Sequence, residues 1–180
     1  MKLSKKIQID IRNFFLTGKF DFLELGQTQE WILANFPDPD WYDESAFRYR
    51  KNDIWRYGDW EFHFADGRLN MIYTDCFQNK TDGCKLSGGV ALDLDAWILN
   101  DAANLTLQKV IYELNQNDID FEKYRGVSDW IVLYLPVSQI ELCFGGENLI
   151  NPNDFSLLSL SWRERPFLGK LRTYGRGKIR

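Results

Sequence analysis

Histidine is almost missing from this 180-residue chain, since His63 is its only one. Paired-histidine metal sites are thereby excluded, because zinc takes four N or S ligands at short paired spacings. Cys76, Cys84 and Cys143 are the only thiols that could join it, and the first two flank QNKTDG too widely for such a pair. That stretch reads as a structural loop. An odd number of cysteines points to reduced thiols in a cytosol. Phosphate-loop signatures are also missing: the Gly-Gly pairs at 88 and 145 and the Gly-Arg-Gly at 175 spell neither GxxxxGK[ST] nor GxGxxG. No apolar run approaches the roughly 18 residues of a membrane span. The opening MKLSKKIQIDIRNFFL is broken by Asp10 and Arg12 before it could serve as a signal peptide. A cytoplasmic protein without membrane contact is expected.

Acidic residues are plentiful but badly placed for cations. The loop with Asp38, Asp40, Asp43 and Glu44 lacks the Gly and terminal Glu of an EF-hand. Asp93 and Asp95 form an Asp-x-Asp pair, whereas a dedicated Ca²⁺ site needs about six to eight oxygens. Both groups read as exposed polar positions, and no metal or other cofactor is expected.

What the chain has is a globular balance of 44% hydrophobic and 27% charged residues, and an aromatic share of 16% that includes seven Trp. Its net charge of −4 divides unevenly. Residues 163–180 hold seven Lys or Arg against one Glu, a tail of +6, which leaves −10 on the rest. Such a tail reads as a solvated terminus able to lie on its own acidic body. Alone it offers nucleic acid only weak, salt-sensitive contact.

Hydrophobic periodicity predicts an α+β chain. Ile7, Ile11, Phe14 and Phe15 mark a helix over 3–17 that ends at Gly18. Thr28 caps a second helix, with Trp31, Ile32, Leu33 and Phe36 inside and Pro37 and Pro39 ending it. Strands are expected over 46–56, 59–64 and 68–74, with turns at Tyr57-Gly58 and Asp66-Gly67. The second half repeats the plan. A strand lies in VALDLDAW, and a Thr106-capped helix places Val110, Ile111 and Leu114 inside. Three strands follow in WIVLYL, IELCF and LLSLSW. A shift of 78 aligns the helices (Thr28 on Thr106), and a shift of 80 aligns Trp60 with Ile140, Glu61 with Glu141 and Leu69 with Leu149. The pattern predicts two duplicated units, each a helix plus an antiparallel meander, with all helices on one sheet face. Their bounds are 1–88 and 89–162, followed by the basic tail 163–180.

One stretch, FDFLELGQTQEWILANFPDP, carries a family pattern. Phe20, Leu23, Leu25, Gly26, Thr28, Ile32, Leu33 and Pro39 occupy places that resemble the opening of units in the beta-lactamase inhibitor protein and the BamE (SmpA/OmlA) lipoproteins. Gln27 replaces the Met of that pattern, Pro37 replaces the exit Gly, and Asn104 stands where the second unit's Gly belongs. The resemblance implies tandem helix-on-sheet units that grip other proteins. With IWRYGDWEFHF after a proline exit, the chain is also similar to bacterial proteins of which some belong to toxin–immunity loci.

Candidate contact residues follow from strand alternation. In IWRYGDWEFHF, Trp60, Phe62 and Phe64 point to the core, while Asp59, Glu61 and His63 point away, as does Glu141 in the second half. Trp41, Tyr42, Trp55 and Tyr57 flank this strand as aromatic candidates for a partner surface. An imidazole between carboxylates could also act as a base. No Ser or Cys is spaced to be its nucleophile. An acidic and aromatic open face suits a protein partner, and with the resemblance above it leads to the expectation of a non-catalytic immunity or inhibitor-type protein. It would bind a toxin or enzyme of basic or mixed charge. The competing expectations are a small hydrolase or nuclease using His63 with Asp59 and Glu61, and a structural assembly component.

Overall fold

A computed structural model describes residues 6–42, 53–77, 85–125, 130–146, 151–164 and 172–177. The chain is α+β. Strand β1 (Ile7–Asp10) runs directly into helix α1 (Ile11–Thr17), and α2 (Gln29–Asn35) follows. Then come the hairpin strands β2 (Asp53–Tyr57), β3 (Trp60–Ala65) and β4 (Arg68–Thr74). Next are β5 (Leu92–Asp95), a 3₁₀ segment (Trp97–Asn104), α3 (Leu107–Gln116) and β6 (Phe121–Arg125). The chain continues through β7 (Ile131–Leu135), β8 (Ile140–Gly145), a short 3₁₀ turn (Pro152–Asp154), β9 (Ser156–Arg163) and β10 (Arg172–Gly177).

Local chemistry explains most boundaries. Asp10, Thr28 and Thr106 each cap a helix by accepting from a backbone N–H three residues on. Gly18 closes α1 at φ 71°, a conformation open to glycine. Asp66 and Gly67 both have positive φ, which matches the twist of the β3–β4 hairpin.

Two sequence expectations need correcting, and a third is described only in part. Residues 7–10 are not helical: β1 lies parallel to β5, pairing Ile9 with Leu94. Its neighbour could not be seen from local periodicity. The strand expected over 46–56 is described only from Asp53, the rest lying outside the described residues. Part of the tail is a strand rather than a solvated terminus, since β10 pairs with β6.

The main sheet has the order β10-β6-β7-β8-β9-β4-β3-β2, antiparallel throughout. At its centre β4 pairs with β9 through Tyr73 and Ser161, flanked by Ile72 with Trp162 and Thr74 with Leu160. Exchanging β4 for β9, β3 for β8 and β2 for β7 maps these pairs onto one another. The β3–β4 ladder slips between His63 and Phe64, and the β8–β9 ladder slips between Cys143 and Phe144. Each bulge turns Leu69 or Leu157 inward while Met71 or Ser159 points out. The expected match of Leu69 with Leu149 fails. Leu69 pairs with Phe64 as Leu157 pairs with Phe144, because ten residues (146–155) link β8 to β9 where two (66–67) link β3 to β4. Leu149 lies outside the described residues.

One sheet face meets the helices. Trp60 and Phe62 are fully buried, and Phe20 packs on both rings at 5.3 and 5.7 Å. Phe14 meets Trp162 edge-on at 5.5 Å. The buried residues of α1, α2, α3 and the first 3₁₀ segment join the same core. Among the described residues no helix is long and apolar enough to cross a membrane.

The β2–β3 turn is held by carboxylates. Asp40 accepts from Gly58 N (2.6 Å) and Val90 N (3.1 Å), and Asp59 accepts from Ser87 N at 2.7 Å. A Cβ on Gly58 would sit 2.4 Å from Ser87 O, so only glycine fits this approach. Asp59 is therefore a clamp of the turn, part of the fold rather than of a free strand face. Two substitutions separate these contributions in denaturant unfolding. Phe62→Ala should cost about 3–5 kcal/mol through its core cavity, and Asp59→Ala about 1 kcal/mol at its exposed hydrogen bond. An Asp59→Ala cost equal to that of Phe62→Ala would contradict this division.

Candidate functional site: the second face of the sheet

The face turned from the helices is polar and aromatic. On its β2–β3 side, Glu61 accepts from Arg56 Nη2 at 2.7 Å and lies 3.0 Å from His63 Nε2. Arg56 in turn sits 5.7 Å from the centre of the Trp41 ring, which is 54% exposed. Cation–π attraction of this exposed kind contributes about 0.5–1 kcal/mol, and the Arg56–Glu61 pair no more than about 1 kcal/mol in solvent. The strip is thus held in position more than it is stabilised. His63 also stands edge-on to Tyr73, with ring centres 6.0 Å apart.

The centre of this face belongs to the second half. Glu141 is 5% exposed and accepts from Ser161 Oγ (3.2 Å) and from Arg163 through Nε (2.8 Å) and Nη2. A buried carboxylate needs such donors to offset its desolvation. A concavity of about 210 Å³ lies over it, walled by Tyr73, Trp130, Val132 and Cys143. Burial, then the Glu141 charge, pushes the Cys143 thiol up to about 11 against a hydrogen bond with Ser159. Burial, then Glu141 and Glu122, raises Tyr134. Tyr73 is raised by burial and by Asp75. All three shifts report a face that disfavours added negative charge.

The residues singled out by sequence divide in three. Trp41, Glu61 and His63 come together on this face, and Glu141 shares it but is buried beneath Arg163. Tyr42 is half-buried against the core edge. Trp55 and Tyr57 are corrected outright: at 1% and 0% exposure they are core residues. Trp55 pairs with Phe62 across the ladder and Tyr57 with Trp60, so both point to the helix side. The buried Tyr57 hydroxyl donates to Pro37 O at 2.9 Å. Spacing missed them because the two-residue turn at 58–59 inverts the direction assumed for β2. It missed Arg56, Arg163 and Tyr73 because their roles depend on cross-strand partners. Alternation did mark the positions of Glu61 and Glu141, which correspond across the two halves.

Catalytic geometry is weak here. Asp59 is about 13 Å along the strand from His63 at the usual rise per residue, so the expected Asp59–Glu61–His63 trio does not converge. Cys143 lies three strands from His63, about 14 Å across the sheet. Among the described residues, no three of His, Cys, Asp and Glu are placed to hold a metal ion.

The raised Cys143 thiol gives a pH test. Its folded value exceeds the unfolded one, so the folded form keeps a proton that the unfolded form releases. Stability should therefore fall as pH rises from about 9 to about 11. Peptide mapping after iodoacetamide treatment should show Cys143 alkylated slowly at pH 8 and faster towards pH 11. Glu141→Gln should speed the reaction at pH 8 by removing the anion that disfavours thiolate; fast labelling of Cys143 in the unaltered protein at pH 8 would refute the assignment. The sequence matches no family model, and comparisons with curated proteins and with solved structures give no match either.

Proposed function

We propose that this chain is a non-catalytic protein-binding protein of the immunity or inhibitor type, acting in the cytoplasm by stoichiometric occupation of a toxin or enzyme. The observation that carries this reading is the second sheet face. It presents an exposed Trp41 stacked with Arg56, beside Glu61, His63 and Tyr73, with a concavity at its centre. Aromatic and Arg side chains with fixed neighbours are the usual anchors of protein interfaces. The carboxylates of the face, Glu61 and Glu141, suit a partner of basic or mixed charge. Corresponding bulges and registers in the two halves favour a duplicated unit, the arrangement implied by the resemblance to the beta-lactamase inhibitor protein.

The hydrolase alternative is supported by a single feature, the 3.0 Å His63–Glu61 contact, which orients an imidazole without a neighbouring nucleophile in evidence. Pull-down with the purified chain from its native host separates the two. The binding reading expects a stoichiometric partner whose affinity drops about tenfold with Trp41→Ala and changes little with His63→Ala. Failure to capture a stable partner, together with turnover on a substrate panel that His63→Ala abolishes, would replace this reading with the enzymatic one.

A further inference from the structure

A second cavity is on the helix side, away from the face just described. It is an open groove of about 740 Å³ between the Trp97–Asn104 segment and the first half of α3, with Asp154 at one end. That volume falls within the range of about 300–1,000 Å³ common to ligand sites.

The sequence builds the groove in a simple way. Helix α3 buries Leu107, Val110 and Leu114. At 3.6 residues per turn, Lys109, Tyr112 and Glu113 are left outside, lining the groove. Tyr112 is 60% exposed, a large ring with a free side. Trp97 also lines the groove and holds φ 44°, a backbone conformation rare for an aromatic residue. Phe15 pins its ring edge-on at 5.5 Å. Non-helical angles at Asp101 (φ −120°, ψ 64°) break the 3₁₀ segment, and Asp101 also lines the groove. Two aromatic residues thus line a trough open to solvent, Trp97 held by Phe15 and the exposed Tyr112.

Charge selects what can lie there. Asp101, Glu113 and Asp154 line the groove against Lys109 alone, three negative charges to one positive. The Lys109 ammonium is already donated to Asn104 O at 2.9 Å. A net charge of −2 in a half-apolar trough attracts cations and repels phosphate, which argues against nucleic acid and anionic bilayers. We propose that this groove binds a basic amphipathic peptide segment of a partner protein. Its apolar anchor residue seats between Trp97 and Tyr112, and flanking Lys or Arg residues face Asp101, Glu113 and Asp154. This is a second contact surface, independent of the Trp41–Arg56 face.

The test uses the full chain and a fluorescein-labelled peptide, Gly-Lys-Arg-Leu-Phe-Lys-Arg-Gly, followed by anisotropy. Saturable 1:1 binding that weakens with salt is expected. It should be about tenfold weaker in Tyr112→Ala and in Glu113→Lys, and unchanged in Trp41→Ala. Because Tyr112 is largely exposed, its replacement should keep the melting temperature, which is checked in parallel. The proposal is overturned by absence of saturable binding, by equal binding to Tyr112→Ala, or by equal binding of a peptide with Glu in place of Lys and Arg. Loss of binding in Trp41→Ala overturns it too, since the peptide would then occupy the other face. Preference for a DNA duplex or anionic phosphatidylserine vesicles over the peptide would equally count against it.

Discussion

The antiparallel contact between β4 and β9 governs this architecture. Each half supplies a meander with one apolar face, covered by the two short helices α1 and α2 in the first half and by α3 and a 3₁₀ segment in the second. Pairing Tyr73 with Ser161 joins the two into one sheet. Phe14 of α1 then reaches Trp162 on β9, while Phe20 reaches Trp60 and Phe62 on β3. The result is a shared core in place of two small ones, and shared cores bury a larger fraction of their surface. Were this ladder lost, the edges of β4 and β9 would expose unpaired backbone groups, and the interior would divide.

The same joint decides what the second face looks like. Residues from both halves meet across it: the Glu141–Arg163 pair, set by β8 and β9 of the second half, lies one strand from Tyr73 of the first. Electrostatics on this face are therefore a property of the assembled sheet. Burial raises Tyr73, Tyr134 and Cys143 first; Glu141 adds to it at Tyr134 across the β7–β8 ladder, while Asp75 and Glu141 act on Tyr73 and Cys143 from two residues away along the chain. The helix side differs: its groove is built mostly from two neighbouring segments of chain, Trp97–Asn104 and α3, with Asp154 closing one end.

Much of the fold could be read from local pattern. Thr28 and Thr106 announced helices because capping is a short-range event, and Asp66-Gly67 announced its hairpin because both residues accept positive φ. Strands β3, β4, β7, β8 and β9 followed from runs and alternation. The failures were non-local. Strand β1 depends on β5 across more than eighty residues of chain, and β10 exists only because β6 offers an edge. At the site, alternation picked out Glu61 and His63, yet it could not tell that Trp55 and Tyr57 face inward, since facing depends on the number of residues in a turn. Asp59 was misread for a related reason: its partner, Ser87, lies in a separate Gly-rich loop.

One end of the sheet has a further consequence. Strand β2 is an edge, and an edge strand with unpaired N–H and C=O groups is a template on which further chains can add. Here the loop before it returns. Trp41 and Arg56 exchange backbone hydrogen bonds at 2.9 and 3.4 Å, and Asp40 N also donates to Arg56 O at 2.8 Å. The indole that looks like a recognition residue is thus carried by a backbone that closes the edge. Displacing this backbone would unpair Arg56 and open a route to edge-to-edge aggregation, whereas changing the indole alone leaves the backbone pairing in place.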